Sequence, residues 1–268
     1  MRTMALVARH VFKESVRDKV LYNLVAFAVL LIATSYLIAQ LTAGQDIKII
    51  KDLGLAAISI FGVFIAIFIG VGLVWKEIEK RSIYALLAKP IRRDQFIVGK
   101  YAGLMLTLLI NVAIMTVSYY AVLLLLGRMM PETASRAWTV PATDPMLLKA
   151  ILLIYVQLGV VTAIALFFST FSSPFLSAAL TLVLYAAGHF SADLKNFGAI
   201  VESRAAGSVA TALYYVLPNF AAFDVKAAAV HGLSIPWSYV GLSAAYGALY
   251  ALALVGGALL IFTKRDFR

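Results

Sequence analysis

Apolar residues in this chain come in long unbroken runs, with neither the alternation of strands nor the narrow stripe of a soluble helix. Residues 53–75 contain no charge, and neither do residues 101–126. Each run exceeds the ~20 residues a helix needs to cross a bilayer core. The same pattern predicts six spans near 20–41, 53–75, 101–126, 150–171, 174–191 and 237–262. The expected fold class is all-α: a polytopic membrane protein with six transmembrane helices in a single domain, 1–268.

Three stretches break the pattern. Residues 1–19 read as an amphipathic interfacial helix, with Arg9, Lys13 and Arg17 on one face and Ala5, Ala8, Phe12, Ser15 and Val16 on another. Such a helix lies in the membrane surface with its apolar side toward the acyl boundary. The run that follows is too long for a signal core and begins too late. Residues 76–100 form a dense charged island that is also helical in pattern. Ile78, Ile83, Leu86 and Leu87 recur near helical spacing, Glu77 and Arg81 stand four apart, and Pro90 disfavours helix at the residue before it. Residues 192–236 are apolar in pieces too short to cross. Within them 205–217 stops at Pro218 and Asn219, and lengthening it would take Asp224 and Lys226 into lipid at ~2.5–3.5 kcal/mol each near the centre. This segment is expected outside, re-entrant or interfacial, as a pair of short helices exposing Phe or Tyr at the headgroup level. Its candidate residues are Tyr214, Tyr215, Pro218, Asn219, Phe220 and Phe223, with Trp237 and Tyr239 suited to the same level.

Charge orients the spans. With the N-terminus inside, the cytoplasmic segments hold 15 of the 23 Lys and Arg residues, while Asp and Glu divide 6 inside and 7 outside. A bias confined to Lys and Arg is the form the orientation rule takes. Both termini are therefore expected in the cytoplasm. The net charge of +10 reads as orientation plus attraction to anionic membrane lipids, and nucleic acid is not an expected partner.

Composition narrows the chemistry. The chain is 63% hydrophobic and 13% charged, about half the charge fraction of a soluble domain, and its mean hydropathy is +0.94. It has no cysteine, so a thiol nucleophile or zinc cluster is excluded. His10, His189 and His231 lack metal-ligand spacing, and no metal site is expected. There is no GxxxxGK[ST] loop, HExxH or GxSxG. The proposed spans contain no Asp, Glu, Lys or Arg, the usual mark of ion-coupled transport. Asn111, Gln157 and His189 remain as polar substrate-path candidates, although such residues also join helices by hydrogen bonds. No catalytic residue emerges, and a membrane-embedded enzyme is disfavoured.

The charged island carries a resemblance. Glu77-x-Glu79-x-Arg81-Ser82, then Leu86, Leu87, Pro90, Arg93, Gly99 and Lys100, resembles the first cytoplasmic loop of exporter-type (type-2) ABC transporter permeases. The EKR(S/T)IxxLLAKPxxR variant is similar to the permease group of multicopper-enzyme maturation. Phe12, Lys13, Glu14, Arg17 and Asp18 resemble that group's entry helix. The run from Tyr214 through Asp224 resembles its external segment, and Phe262, Arg265 and Asp266 its C-terminal end. The resemblance covers essentially the whole chain. It implies a non-catalytic subunit in the inner membrane of a prokaryote. A separate ABC ATPase subunit would dock on a coupling helix formed by Glu77, Ile78, Glu79, Arg81, Ser82, Ile83, Leu86, Leu87, Pro90 and Arg93. ATP and Mg would sit on that partner, with no cofactor on this chain. Two permeases, a second copy or a paralogue, would pair with two ATPases, and a periplasmic partner could join them. The function implied is ATP-driven export. The alternative is an anchor that transmits force to a periplasmic partner without a substrate path.

Overall fold

The computed structural model describes residues 2–39, 46–79, 93–129, 141–191 and 204–264, and among them every regular element is helical. In chain order these are α1 (Arg2–Ser15), α2 (Lys19–Ala39), α3 (Asp46–Glu79), α4 (Arg93–Met129), α5 (Met146–Ser169), α6 (Pro174–His189), α7 (Arg204–Val216), a 3-10 turn (Phe220–Phe223), α8 (Lys226–Val230) and α9 (Trp237–Lys264). Five of them, α2, α3, α4, α5 and α9, are long and apolar enough to cross a membrane. Such a set in one chain makes a multi-pass membrane protein.

The fifth of the six expected spans, 174–191, is shorter than expected. α6 has 16 residues, ~24 Å of helix against a hydrocarbon core of ~30 Å. Pro174 fixes its start, since a ring without an N–H suits the first helical turn. The Ser172 and Ser177 hydroxyls meet at 2.7 Å across the tight turn from α5.

α5 is the hub. It packs against α3 and α9, and also against α4, α6, α8 and the 3-10 turn. Most of its residues are buried in protein, so an all-round apolar sequence is what its position requires. α2, by contrast, exposes Tyr22, Phe27, Leu30 and Leu37, as a lipid-facing helix does.

Two helices outrun their expected boundaries. α3 begins at Asp46 and ends at Glu79, and α4 spans Arg93–Met129. Hydropathy stops a span at the first charge, but helical hydrogen bonding does not. Lys51 lies within α3, fully buried, because its Nζ donates to the Pro141 carbonyl at 2.8 Å while its methylene stem packs among apolar neighbours. Lys100, also fully buried, lies in α4 with its ammonium 4.6 Å from the Phe96 ring centroid.

α1 is part of the packed bundle. It packs along the start of α4, where Gly99 and Gly103 admit it. A β-carbon at Gly103 would stand 2.7 Å from the Ala8 carbonyl oxygen and 2.8 Å from Val11. The inward face is Val7, Val11 and Ser15, whereas Ala5, expected on the apolar side, is exposed. The same end of the bundle is sealed by a small cluster in which Phe96 stacks on Phe262 of α9, centroids 5.9 Å apart.

Candidate functional site

The polar candidates of the spans separate into two groups. Asn111 is spent locally: its Nδ2 donates to the Thr107 carbonyl one turn earlier, at 2.7 Å. Gln157 and His189 come together. The Gln157 amide nitrogen lies 3.3 Å from His189 Nε2, and His189 Nδ1 lies 2.9 Å from the Tyr185 carbonyl oxygen. A carbonyl only accepts, so Nδ1 carries the proton and Nε2 accepts from the amide. The Tyr185 hydroxyl lies near Ser59 and Gln157. The cluster thus draws Ser59 from α3, Gln157 from α5, and Tyr185 and His189 from α6.

A lid covers it. Phe220 lies 5.5 Å from the His189 ring and 5.3 Å from the Tyr185 ring, and Phe223 continues the contact at 6.3 Å from Phe220. Both phenylalanines are fully buried, which corrects the expectation that they face the interface. Gly188 makes the approach possible: a β-carbon there would stand 2.5 Å from both the Phe220 ring and the Pro218 carbonyl oxygen. Pro218 is buried with them. Tyr215, on α7, is 79% exposed, and Tyr214, half-buried, packs edge-on against it at 5.2 Å. Asn219 contributes its backbone N–H to the Tyr246 hydroxyl at 2.9 Å, while its Oδ1 is buried without a hydrogen-bond partner.

The residues that hold this lid were not singled out as a set. Tyr239 and Ser243 of α9 both donate to the Ala222 carbonyl, at 2.9 and 3.2 Å. Tyr246 receives Asn219, and Tyr250 donates to the Val216 carbonyl at 2.7 Å. Positions 239, 243, 246 and 250 step by four, three and four, so they share one helix face. That spacing of hydroxyls was a readable signal. It satisfies carbonyls of irregular backbone that helical pairing cannot reach.

A second set of ties closes the same end. Lys149 Nζ donates to the Ile235 carbonyl at 2.7 Å and stands 4.7 Å from the Trp237 ring centroid. The Tyr119 hydroxyl donates to the Lys51 carbonyl and the Tyr120 hydroxyl to the Asp144 carbonyl, at 3.1 and 3.2 Å. Among the described residues no group of three His, Asp or Glu side chains could hold a metal. The cluster presents hydrogen-bonding groups that mostly satisfy one another, which is the chemistry of a joint between helices.

The charged island lies at the opposite ends of α3 and α4. Glu77, Ile78 and Glu79 belong to the last turn of α3, and Arg93 opens α4. Arg81, Ser82, Ile83, Leu86, Leu87 and Pro90 lie outside the described residues.

Comparison with known proteins gives one result. The family model described as "ABC-2 family transporter protein" matches residues 5–267. No curated protein matches the chain.

Proposed function

We propose, from the premise that the chain belongs to the ABC-2 transporter family and is a membrane subunit of an ABC transporter, that it docks a separate ATPase through residues 77–90 and couples ATP hydrolysis to export. The family match over nearly the whole chain carries this reading. Proteins of this family normally work with an ABC ATPase subunit. ATP and Mg then belong to that partner, and a second permease, copy or paralogue, completes the transporter.

The lengths of α3 and α4 support it. With 34 and 37 residues they measure ~51 and ~55 Å, well beyond a ~30 Å core. At the island side α3 runs on past the apolar run through Lys76, Glu77 and Glu79, and α4 opens with Arg93 and Asp94 before its own, which supports a docking element outside the apolar zone. α6 makes the sixth crossing, using local bilayer thinning to accommodate its length. An even count puts both termini on one side, which the Lys and Arg bias makes the cytoplasm, with 192–236 outside. The membrane is the inner membrane of a prokaryote.

One observation favours the alternative, force transmission to a periplasmic partner. The polar side chains buried in the spans are consumed by each other and by nearby carbonyls, so they offer little lining for a substrate route.

The test is Leu86→Pro, which costs a helix ~3 kcal/mol or more. The expected result is loss of ATPase co-purification with the membrane subunit, with the subunit still inserted. If co-purification and coupled ATP hydrolysis both survive, residues 77–90 are not the docking element. Substrate-stimulated hydrolysis in vesicles separates export from force transmission.

A further inference from the structure

A cavity of about 390 Å³ opens where α1 turns into α2 and meets residues 65–72 of α3. That volume lies within the ~300–1,000 Å³ range of small-molecule sites. Its walls are of two kinds. Leu21, Leu24, Ile65, Phe68 and Ile69 make an apolar side, and Glu14, Ser15 and Asp18 make a polar end. Positions 65, 68, 69 and 72 share one face of α3.

The polar end is acidic. Glu14 and Asp18 bring two carboxylates, and Ser15 closes α1, so the negative end of that helix dipole lies at the wall. Asp18 Oδ1 caps α2 by accepting from the Val20 N–H at 3.0 Å. The Ser15 hydroxyl gives the independent sign of a ligand. Ser15 is 4% exposed, lines the cavity, and its Oγ has no hydrogen-bond partner. A buried hydroxyl left unpaired is destabilising, and a ligand donor or acceptor in the cavity would remove that cost.

We infer that this cavity binds a phospholipid with an ammonium headgroup. The ammonium sits against Glu14 and Asp18, the Ser15 hydroxyl pairs with the headgroup, and an acyl chain lies along Leu21, Leu24, Phe68 and Ile69. Arg17 and Lys19, exposed in the same turn, suit the phosphate. The exposed flanks of Val20 and Phe68 leave the apolar side open for a chain to enter from the bilayer. The inference stands apart from ATPase docking, because none of these residues belongs to the 77–90 segment.

The test uses the full chain in mild detergent, with bound phosphatidylethanolamine and phosphatidylglycerol compared by native mass spectrometry. The ammonium lipid is expected to be retained about tenfold better, the effect of one charge-assisted contact. Glu14→Gln with Asp18→Asn should erase that preference while keeping the fold, because Asn caps a helix about as well as Asp. Gly72→Leu, at a position where a β-carbon meets nothing within 4 Å, should fill the cavity and lower retention of both lipids. Equal retention of the two lipids by the unaltered chain overturns the inference. So does a preference that survives the Glu14 and Asp18 changes, or displacement of the lipid by water-soluble phosphoethanolamine at the same concentration.

Discussion

At Gly188 the α6 backbone runs so close to the lid that a single methyl group would strike the Phe220 ring. Gly188→Val should therefore lift Phe220 off His189, at ~1–3 kcal/mol for an overpacked contact. A lowered melting temperature of the purified protein, with α9 still inserted, is the expected outcome, and an unchanged one would mean the lid is not seated there. Gln157 and His189 make a second case. Gln157→Leu leaves His189 Nε2 without its donor and should cost ~0.5–2 kcal/mol, the range for hydrogen bonds between membrane helices. Adding His189→Leu should cost less than the two single changes together, and a double-mutant cycle on the melting temperature reads the difference. The sequence marked both residues as polar in apolar runs. It did not pair them, because 32 positions and a turn lie between them, beyond the reach of any periodicity.

Among elements, α1 and α4 are joined by backbone proximity more than by side-chain area. Gly103→Val should force α1 away from α4. Because the chain has no cysteine, Val11→Cys can report this. Val11 is 2% exposed, so the thiol should resist labelling on the intact background and react when Gly103→Val is added. Equal labelling on both backgrounds would show that the helices were never clasped. The amphipathic character of α1 was legible from Arg9 and Lys13. Its partner was not, since Gly99 and Gly103 look like ordinary small residues until another backbone approaches. The ends of α3 were misplaced for a related reason. Lys51 stops a hydropathy run, but the carbonyl that receives it comes from Pro141, 90 positions away.

For the molecule as a whole, the number of crossings hangs on α6. Residues 233 and 264 flank α9 and so lie on opposite sides; with the N-terminus inside, the first is outside if α6 crosses. Leu233→Cys, at a 61% exposed position, should then react with an impermeant reagent added to intact cells, and Lys264→Cys only after permeabilisation. The reverse pattern would mean that α6 turns back and leaves five spans. The all-helical class and the centres of five long apolar helices were readable because lipid demands such helices. The sequence suggested a pair of short helices before α9, where the structure has three short elements, α7, the 3-10 turn and α8; the inward-facing phenylalanines were not legible, since burial by α6 and α9 is tertiary. The clasp of α1 also sets a mechanical ratio. Gly103 lies 10 residues from the α4 start and 26 from its end, and no proline interrupts the rod. With a fixed rise per residue, a tilt about that point turns each ångström at the charged-island end into about 2.6 Å at the other. Were α4 to tilt about that clasp, a small displacement at the charged-island end would arrive enlarged at the other.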